Sequence, residues 1–367
     1  MLHPSRQDCY NAAGSIRQEP AVYKCLAGLA TLALLAVSFI ASAEVVKGLH
    51  AATVPVANQG ESAMKAAAGD ALAEVVVKVS GSRDVLHNPV IARALPGARS
   101  HVQQYVFARD DSQESGLTAR FEFGAAYVNG LLTDAGLPLW TANRPRVLVW
   151  MAIERNGERQ LVSSLESPEL AAQLLSEFER RGVPARLPLY DLRDATAVSL
   201  EDVWGQRGSK IAAASARYGV EDILIGRAVA VSTGEWTGDW SYLSGAQRLD
   251  RSGNAAAATG FLQTGVDMVA EEMASRYAVA PSGTVADRIP MVVSGVLEFS
   301  DYTAIVNWLE SLELIEHANL QHISGDRIEL GLDAGAAAEQ LATIIELNKR
   351  LQPVAAAPGE LVYQWMN

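Results

Sequence analysis

The sequence predicts a chain of α/β and α+β class, with three small domains behind an export signal. Residues 144–151 read Arg-Pro-Arg-Val-Leu-Val-Trp-Met, an apolar segment that is bounded by turn signals and too short for a helix. Such a segment indicates a buried central strand. One compact set of helix and strand patterns precedes it, and an alternation of the two follows it. The predicted boundaries are a signal at 1–43 and domains at 44–143, 144–280 and 285–367.

The composition and charge of the chain indicate which partners are unfavourable. The 367 residues carry a formal net charge of −12, and 49% of them are hydrophobic. Large cores are therefore available, and the acidic balance disfavours nucleic acid and anionic lipid. We expect the partners to be envelope proteins or cell-wall material.

The first 43 residues have the pattern of an export signal. Lys24 precedes an apolar run over 25–40, and Ala-Ser-Ala forms a small-x-small site that predicts cleavage after Ala43. The apolar run is shorter than the roughly 20 residues of a stable membrane span. We therefore expect a processed periplasmic protein with no lasting transmembrane segment. The alternative is an inner-membrane protein that is anchored by an uncleaved signal.

The first domain is predicted to be a small α+β layer. Residues 64–79 carry an apolar stripe at helical spacing, and Gly81 stands where glycine commonly ends a helix. Residues 117–123 alternate between apolar and polar, which indicates a half-buried strand, and a short helix is predicted over 125–134. Residues 101–107 fit a helix and a strand equally well.

The middle domain is predicted to be a mainly parallel sheet with flanking helices. Strand and helix patterns alternate in it, an order that favours right-handed crossovers. The predicted elements are strands at 146–151, 185–190 and 223–226, helices at 168–181 and 211–218, two antiparallel additions at 235–243 and 246–249, and a closing helix at 262–277.

The last domain is predicted to be a ferredoxin-like unit with the order βαββαβ, the split-βαβ arrangement. Ser-Gly-Asp at 324–326 separates two strand patterns and signals a hairpin. Residues 361–365 alternate as a final strand, which we expect at an edge of the sheet.

The sequence matches the motifs of serine enzymes only weakly. Ser62 and Lys65 fit the Ser-x-x-Lys element of penicillin-interacting serine enzymes, and Ser252 and Asn254 fit the second element. The third element should supply a lysine, but its nearest match begins with Gln263. Because general acid–base work needs convergent titratable groups, chance resemblance is the preferred interpretation and no catalytic residue is predicted.

No cofactor or metal is predicted either. Both cysteines, Cys9 and Cys25, lie in the leader, so the processed chain would have no thiolate ligand. His317 and His322 share a predicted strand, but their odd separation places them on opposite faces.

One aromatic cluster is a candidate ligand-binding face. Trp236, Trp240 and Tyr242 fall at even spacing on a predicted strand and would share one of its faces. Aromatic faces flanked by acidic residues can hold sugars or peptides. The other interpretation is that these rings pack on the adjacent helix and that Gly238 makes a bulge. This core-packing interpretation is preferred.

Three segments carry a family resemblance. Arg-Pro-Arg-Val-Leu-Val-Trp at 144–150, Val-Ser-Gly at 79–81, and Arg-Tyr-Gly-Val-Glu-Asp-Ile-Leu-Ile-Gly-Arg at 217–227 resemble the uncharacterised exported bacterial family called domain of unknown function 2066. Residues 218–226 are also similar to the first domain of TolB-like and curli-secretion proteins, and the three-unit order is similar to flagellar assembly protein T. These resemblances imply partner binding in the envelope and bring no catalytic residue.

The sequence therefore favours a non-enzymatic periplasmic scaffold or assembly factor that acts through protein–protein contacts. The alternative is a binding protein for a cell-wall glycan or peptide, which would use the face of Trp236 in the middle domain.

Overall fold

The computed structural model describes residues 44–109, 116–280, 288–357 and 359–366. The predicted leader, with both cysteines and the cleavage position Ala43, lies outside these ranges. Within them, no helix combines the length and the apolar character needed to cross a membrane. The class is mixed α and β, as predicted, and the described residues form three sheets of three or more strands and one two-stranded ladder.

The first part of the chain is a three-stranded antiparallel sheet covered by one long helix. The apolar face of this helix packs in the same buried hydrophobic cluster as Phe121 of the sheet. The sheet order is β2-β4-β3, and β1 pairs separately with β5. The elements are β1 Glu44–Val45, β2 Ala51–Pro55, α1 Glu61–Ser80, α2 Pro89–Ala94, β3 Val102–Arg109, β4 Leu117–Phe123, α3 Ala125–Asp134 and β5 Asn143–Arg144, with 3₁₀ turns at Arg83–His87 and Leu95–His101.

The middle part is a six-stranded sheet with helices on both faces. Its strand order is β11-β10-β9-β6-β7, and β8 also pairs with β6. The elements are β6 Val147–Arg155, β7 Glu158–Leu161, α4 Pro168–Arg180, β8 Ala185–Arg186, α5 Leu192–Ala197, α6 Leu200–Trp204, α7 Gly208–Ser215, β9 Asp222–Ala230, β10 Trp236–Ser244, β11 Gln247–Ala255 and α8 Ala258–Tyr277, with a 3₁₀ turn at Ala216–Tyr218.

The predicted parallel pairing is present at the centre of this sheet, and the strands predicted at 235–243 and 246–249 are antiparallel additions, as expected, whereas β7 was not predicted. Strand β6 is parallel to β8 and β9, but the β6–β7, β9–β10 and β10–β11 pairs are antiparallel. The β6–β7 hairpin turns at Asn156 and Gly157, which both have positive φ. Asn-Gly is a strong sequence signal for such a turn, so this hairpin was predictable.

The two faces of the central strand are buried by different helices. Strand β6 is apolar and fully buried from Val147 to Ile153, as expected for a central strand. Alternate side chains belong to two clusters, one with residues of α4 and α8 and the other with residues of α6 and α7. Trp150 lies in the second cluster, where its indole N–H donates to the hydroxyl of Ser215 at 3.0 Å.

The last part is a five-stranded sheet with the order β13-β14-β12-β16-β15. Strand β14 lies between β12 and β13, which α9 connects, so these elements form the predicted split-βαβ arrangement. The elements are β12 Ile289–Ser294, α9 Phe299–Glu310, β13 Ile315–Ser324, β14 Arg327–Ala334, α10 Ala338–Ile345, β15 Leu351–Pro353 and β16 Leu361–Trp365.

The expected edge position of the final strand is wrong. Strand β16 pairs in parallel with β12 and antiparallel with β15, so it is an interior strand. Strand β15 is not predicted by the sequence pattern, because it is only three residues long and contains Pro353. Such short, proline-containing strands are typical of protected edges.

A buried joint connects the first part to the middle part. The guanidinium of Arg181 in the middle part donates to the carbonyl of Gly81 at 2.8 Å. Within the first part, the main-chain N–H of Trp140 donates to the carbonyl of Val79 at 2.7 Å. Arg144 is fully buried at the same place. The end of α1 is thereby fixed against the middle part.

Candidate functional site

The aromatic residues that form the candidate ligand-binding face, for which packing on the adjacent helix was the preferred interpretation, lie in the core. Trp240 and Tyr242 are 0% and 1% exposed, and Trp236 is 6% exposed. The ring of Trp240 stacks on Phe261 of α8 with centroids 5.1 Å apart, and its indole N–H donates to the Phe261 carbonyl at 3.2 Å. The three side chains therefore form no open aromatic face, because α8 covers them.

Two glycines make the space that Trp240 fills. A Cβ atom at Gly226 would lie 2.3 Å from the ring, and one at Gly265 would lie 2.4 Å from it. Gly238 has a different role from the expected bulge, since β10 keeps a regular register with both neighbours. A Cβ atom at Gly238 would lie 2.0 Å from the carbonyl of Arg227, so this glycine permits close approach of two strands.

The ends of the aromatic row are also occupied. The hydroxyl of Tyr242 donates to Asp222 at 2.5 Å, and burial raises the pKa of that carboxyl group. Trp236 lies between Phe261, with ring centroids 6.2 Å apart, and the guanidinium of Arg155, which is 5.4 Å from its ring. Trp236 borders a surface hollow of about 460 Å³, and Tyr242 borders a separate one of about 280 Å³.

The three serine-enzyme elements lie on separate helices and strands, and their side chains contact other partners. Ser62 and Lys65 are on α1, whereas Ser252 is on β11, where its hydroxyl donates to Asp239 at 2.7 Å. The amide of Gln263 donates to Glu177 at 3.3 Å. The fold therefore does not assemble the three elements.

The histidines are dispersed. His50 lies 3.4 Å from the amide oxygen of Asn129, and burial lowers its pKa. His317 lies 3.9 Å from Glu310, and His322 is exposed. Among the described residues, no group of three or more His, Cys, Asp or Glu side chains could hold a metal ion.

A candidate binding element is strand β3, which lies at an edge of the three-stranded sheet. Within the described residues, β3 pairs only with β4. Tyr105 is 43% exposed and Val106 is 52% exposed. Exposed apolar side chains on an unpaired edge are what natural sheets usually avoid, so this strand is a candidate binding site.

The direction of the main-chain groups on β3 follows from the pairing of β4. Phe123 donates to the carbonyl of His50 at 3.0 Å, and Val56 donates to the carbonyl of Leu117 at 2.9 Å. Odd-numbered residues of β4 therefore bond towards β2. Because bonding direction alternates along an antiparallel strand, the even-numbered residues of β4 bond towards β3.

The register then identifies the outward groups of β3. Val106 is opposite Arg120 and Ala108 is opposite Thr118, so these two β3 residues bond inward. Tyr105 and Phe107 direct their N–H and C=O groups away from the sheet. A register irregularity between Val102 and Gln104 interrupts the ladder at one end, as bulges often do at sheet edges.

The two faces of β3 differ in character. Tyr105 is opposite Phe121 and Phe107 is opposite Ala119, and both of these β4 residues are fully buried. Since directly opposite residues share a face, the two β3 rings extend the core surface to the rim of the sheet. The ring centroids of Tyr105 and Phe107 are 5.7 Å apart in an edge-on contact.

A second candidate surface is the polar face of β10 and β11, opposite the buried aromatic row. Three cross-strand hydrogen bonds cross it: Thr237 to Asn254 at 2.5 Å, Asp239 with Ser252 at 2.7 Å, and Ser241 to Asp250 at 2.5 Å.

A cleft of about 250 Å³ opens beside this polar face. It is lined by Trp204, Arg227, Val229, Thr237 and Asp239, among others. Arg227 contacts Asp239 at 2.7 and 2.9 Å. Hydrogen bonds from Ser252 and Arg227 lower the pKa of Asp239, so the carboxylate is charged at neutral pH. The pairing of Asp239 with Arg227 could not be predicted from the sequence, because it depends on strand register.

The comparison with family models matches the part of the chain that contains β3. Residues 43–141 match the model of a family described as Domain of unknown function (DUF8605). This agrees with the expectation of an uncharacterised family, but the family is not the one named from the sequence, and the match does not extend over the middle and last parts. A comparison with curated proteins finds no match.

Proposed function

We propose that this protein is a non-enzymatic scaffold or assembly factor of the bacterial cell envelope, and that it binds other proteins through the open edge of β3. The outward N–H and C=O groups of Tyr105 and Phe107 carry this proposal. An extended segment of a partner can bond to such groups and place its side chains against the neighbouring rings.

The envelope setting rests on the sequence. Lys24, the apolar run over 25–40 and the small residues that end at Ala43 support export. The resemblance of 144–150 and 217–227 to domain of unknown function 2066, and of 218–226 to TolB-like and curli-secretion proteins, supports the same compartment. A net charge of −12 makes nucleic acid an unfavourable partner.

The test compares two substitutions at one residue. Phe107→Pro removes an outward N–H, whereas Phe107→Val keeps it, and both remove the ring. Proline is tolerated on an edge strand where its nitrogen faces away from the sheet, so both variants should fold. We expect wild type and Phe107→Val to capture a common set of cross-linked proteins from the envelope fraction, and Phe107→Pro to lose that set.

The folded state is checked by circular dichroism and thermal melting of both variants. If Phe107→Pro is folded and captures the same proteins as Phe107→Val, main-chain pairing at β3 is not the binding mode and this proposal fails.

A second candidate function is binding of a cell-wall glycan or peptide in the cleft beside Trp204. The observation that favours it is the charged pair of Arg227 and Asp239 next to an indole, a combination suited to polar ligands. Asp239→Asn keeps the shape of the side chain and removes its charge. We expect it to reduce co-sedimentation with purified cell-wall sacculi, whereas Asp250→Asn on the neighbouring strand should not. Equal retention of both variants would reject this candidate.

A further inference from the structure

We infer that the partner at the β3 edge is a second copy of this chain, paired antiparallel about a two-fold axis through Val106. This inference rests on the proposed function, since it names the occupant of the same edge. It predicts a continuous six-stranded sheet with the strand order β2-β4-β3 in one copy and β3-β4-β2 in the other.

Hydrogen-bond parity limits the possible registers. The outward groups belong to the odd-numbered residues Tyr105 and Phe107, so a self-pairing must place odd residues opposite odd residues. An axis through Val106 meets this condition, because Tyr105 of one copy is then opposite Phe107 of the other. Two such hydrogen-bonded pairs form, one on each side of the axis.

Side-chain contacts select this register among those that parity allows. With an axis through Val106, both hydrogen-bonded pairs next to the axis use residues of the regular stretch that begins after the irregularity at Val102–Gln104. It places two Tyr105–Phe107 aromatic pairs on the core face, and aromatic cross-strand pairs are among the most favourable. An axis through Tyr105 would oppose Phe107 to the irregular Gln103. An axis through Phe107 would oppose Tyr105 to Arg109.

The same register joins equivalent faces of the two copies. Residues that are directly opposite share a face, so the core-side rings of one copy continue those of the other. Tyr105, which is 43% exposed in the single chain, would be covered by Phe107 of the second copy. On the other face Val106 would meet its own equivalent on the axis, in a non-hydrogen-bonded pair.

Electrostatics does not oppose the pairing. Arg109 would be opposite Gln103, so no like charges are directly opposed on the paired strands. Arg120 of β4 is opposite Val106, so the two copies of Arg120 are separated by three strand spacings, about 14 Å. That distance exceeds the screening length of about 8 Å at physiological ionic strength.

The test is a disulfide trap in the full chain with Cys9→Ser and Cys25→Ser. Non-hydrogen-bonded antiparallel pairs have Cα atoms about 4.5 Å apart, which lies within the range for a disulfide. We expect Val106→Cys to form a covalent dimer on a non-reducing gel. Gln104→Cys is the matched control, since Gln104 is exposed on the same face but would be opposite Ala108. Adding Ala108→Cys to Gln104→Cys should restore the dimer.

Charged substitutions at Val106 provide an independent test of the two-fold pairing. Two lysines or two glutamates on the axis repel each other, so Val106→Lys and Val106→Glu should each sediment as a monomer where wild type self-associates. Their equimolar mixture should restore the dimer. Val106 is exposed, so neither substitution should prevent folding.

The outcomes separate this inference from the proposed function. Equal cross-linking of Val106→Cys and Gln104→Cys would indicate collision and overturn the two-fold register. A wild-type monomer at all concentrations, combined with envelope capture that is lost in Phe107→Pro, would overturn the second copy as partner and leave the edge as a site for another protein. A monomer whose capture is unaffected by Phe107→Pro would overturn both.

Discussion

Arg144 is a fully buried cation that is stabilised by main-chain oxygens. Its guanidinium donates to five carbonyls, at distances from 2.8 to 3.3 Å, those of Lys78, Trp140, Thr141, Arg181 and Gly182. The carbonyl of Lys78 belongs to the last turn of α1, and that of Arg181 directly follows the last residue of α4. Both lie at helix C-termini, where the helix dipole is negative. Burial lowers the pKa of Arg144, but the five acceptors require the protonated group. This side chain is therefore a structural connection between the first and middle parts.

Removal of the Arg144 guanidinium should lower the free energy of unfolding substantially. Arg144→Met leaves buried carbonyl oxygens without a donor, and loss of one partner from a buried charged network typically costs about 3–5 kcal/mol. Urea unfolding should show a loss of that order. The matched control Arg251→Met removes a side chain that is 39% exposed with one contact at 3.5 Å to Glu271, and it should cost less than about 1 kcal/mol. Similar losses for both variants would contradict the structural role.

Lys78 gives a pH-dependent prediction. It is 5% exposed and donates to the carbonyl of Ala51 at 2.7 Å, and burial lowers its pKa to about 8 from an ordinary 10.5. Between these two values the unfolded chain binds the proton that the folded chain releases. Stability therefore rises with pH across this window, and the cost of burying the charge is fully present below pH 8.

The measurement is the free energy of unfolding of wild type and Lys78→Met at pH 7.5 and pH 10.5. We expect the difference between the two proteins to move in favour of wild type by on the order of 3 kcal/mol as the pH rises. Comparison with Lys78→Met cancels the other titrating groups. Lys65→Met, at an exposed residue of the same helix, should show no such change, and a flat difference for Lys78→Met would contradict the assigned burial.

At the scale of elements, the spacing of apolar residues predicted those helices and strands whose position depends on local sequence. The stripe over 64–79 and the stop at Gly81 correspond to α1, and the alternation over 117–123 corresponds to β4. Residues 101–107 were ambiguous because an edge strand is exposed on both sides and so loses its alternation of apolar and polar residues. The strand they form, β3, is nevertheless the candidate site. The even spacing of Trp236 and Trp240 predicted a shared face, but which face a helix covers depends on α8, some twenty residues further along the chain.

Strand β16 gives a prediction at this scale, because its two neighbours differ in length. Val354 donates to the carbonyl of Val362 at 2.9 Å, and Met366 donates to the carbonyl of Arg350 at 2.8 Å. Even-numbered residues therefore bond towards the short strand β15, and Tyr363 bonds towards the interior strand β12. Amide hydrogen exchange should be slowest at Tyr363 and faster at Val362 and Gln364, since short edge strands open more readily. Equal rates at the three amides would show that β15 and β12 protect β16 alike.

At the scale of the whole molecule, the parts of the chain share buried surfaces. A single cluster of buried apolar residues includes Phe121 of the first sheet and Leu330 of the last. The side chain of Glu313 accepts from the main-chain N–H of Ala142 at 3.1 Å, which ties the last part to the segment before β6. Domain boundaries drawn from linker composition carry no information on such contacts, because they depend on tertiary packing.

Gly81 tests whether the first and middle parts are joined as tightly as these contacts indicate. It ends α1 with φ of +84°, and a Cβ atom there would lie 2.1 Å from the Cβ of Ala274 on α8 and 3.0 Å from the ring of Trp140. Gly81→Ala combines a strained left-handed conformation, which costs about 1–2 kcal/mol, with overpacking of about 1–3 kcal/mol. We expect a loss of roughly 2–5 kcal/mol in urea unfolding. Gly130→Ala is the matched control, because its Cβ would meet nothing within 4 Å inside α3, and it should stabilise the protein by about 0.5–1 kcal/mol. A Gly81→Ala protein as stable as wild type would mean that the end of α1 does not lie against α8, and the joint around Arg144 would then also be wrong.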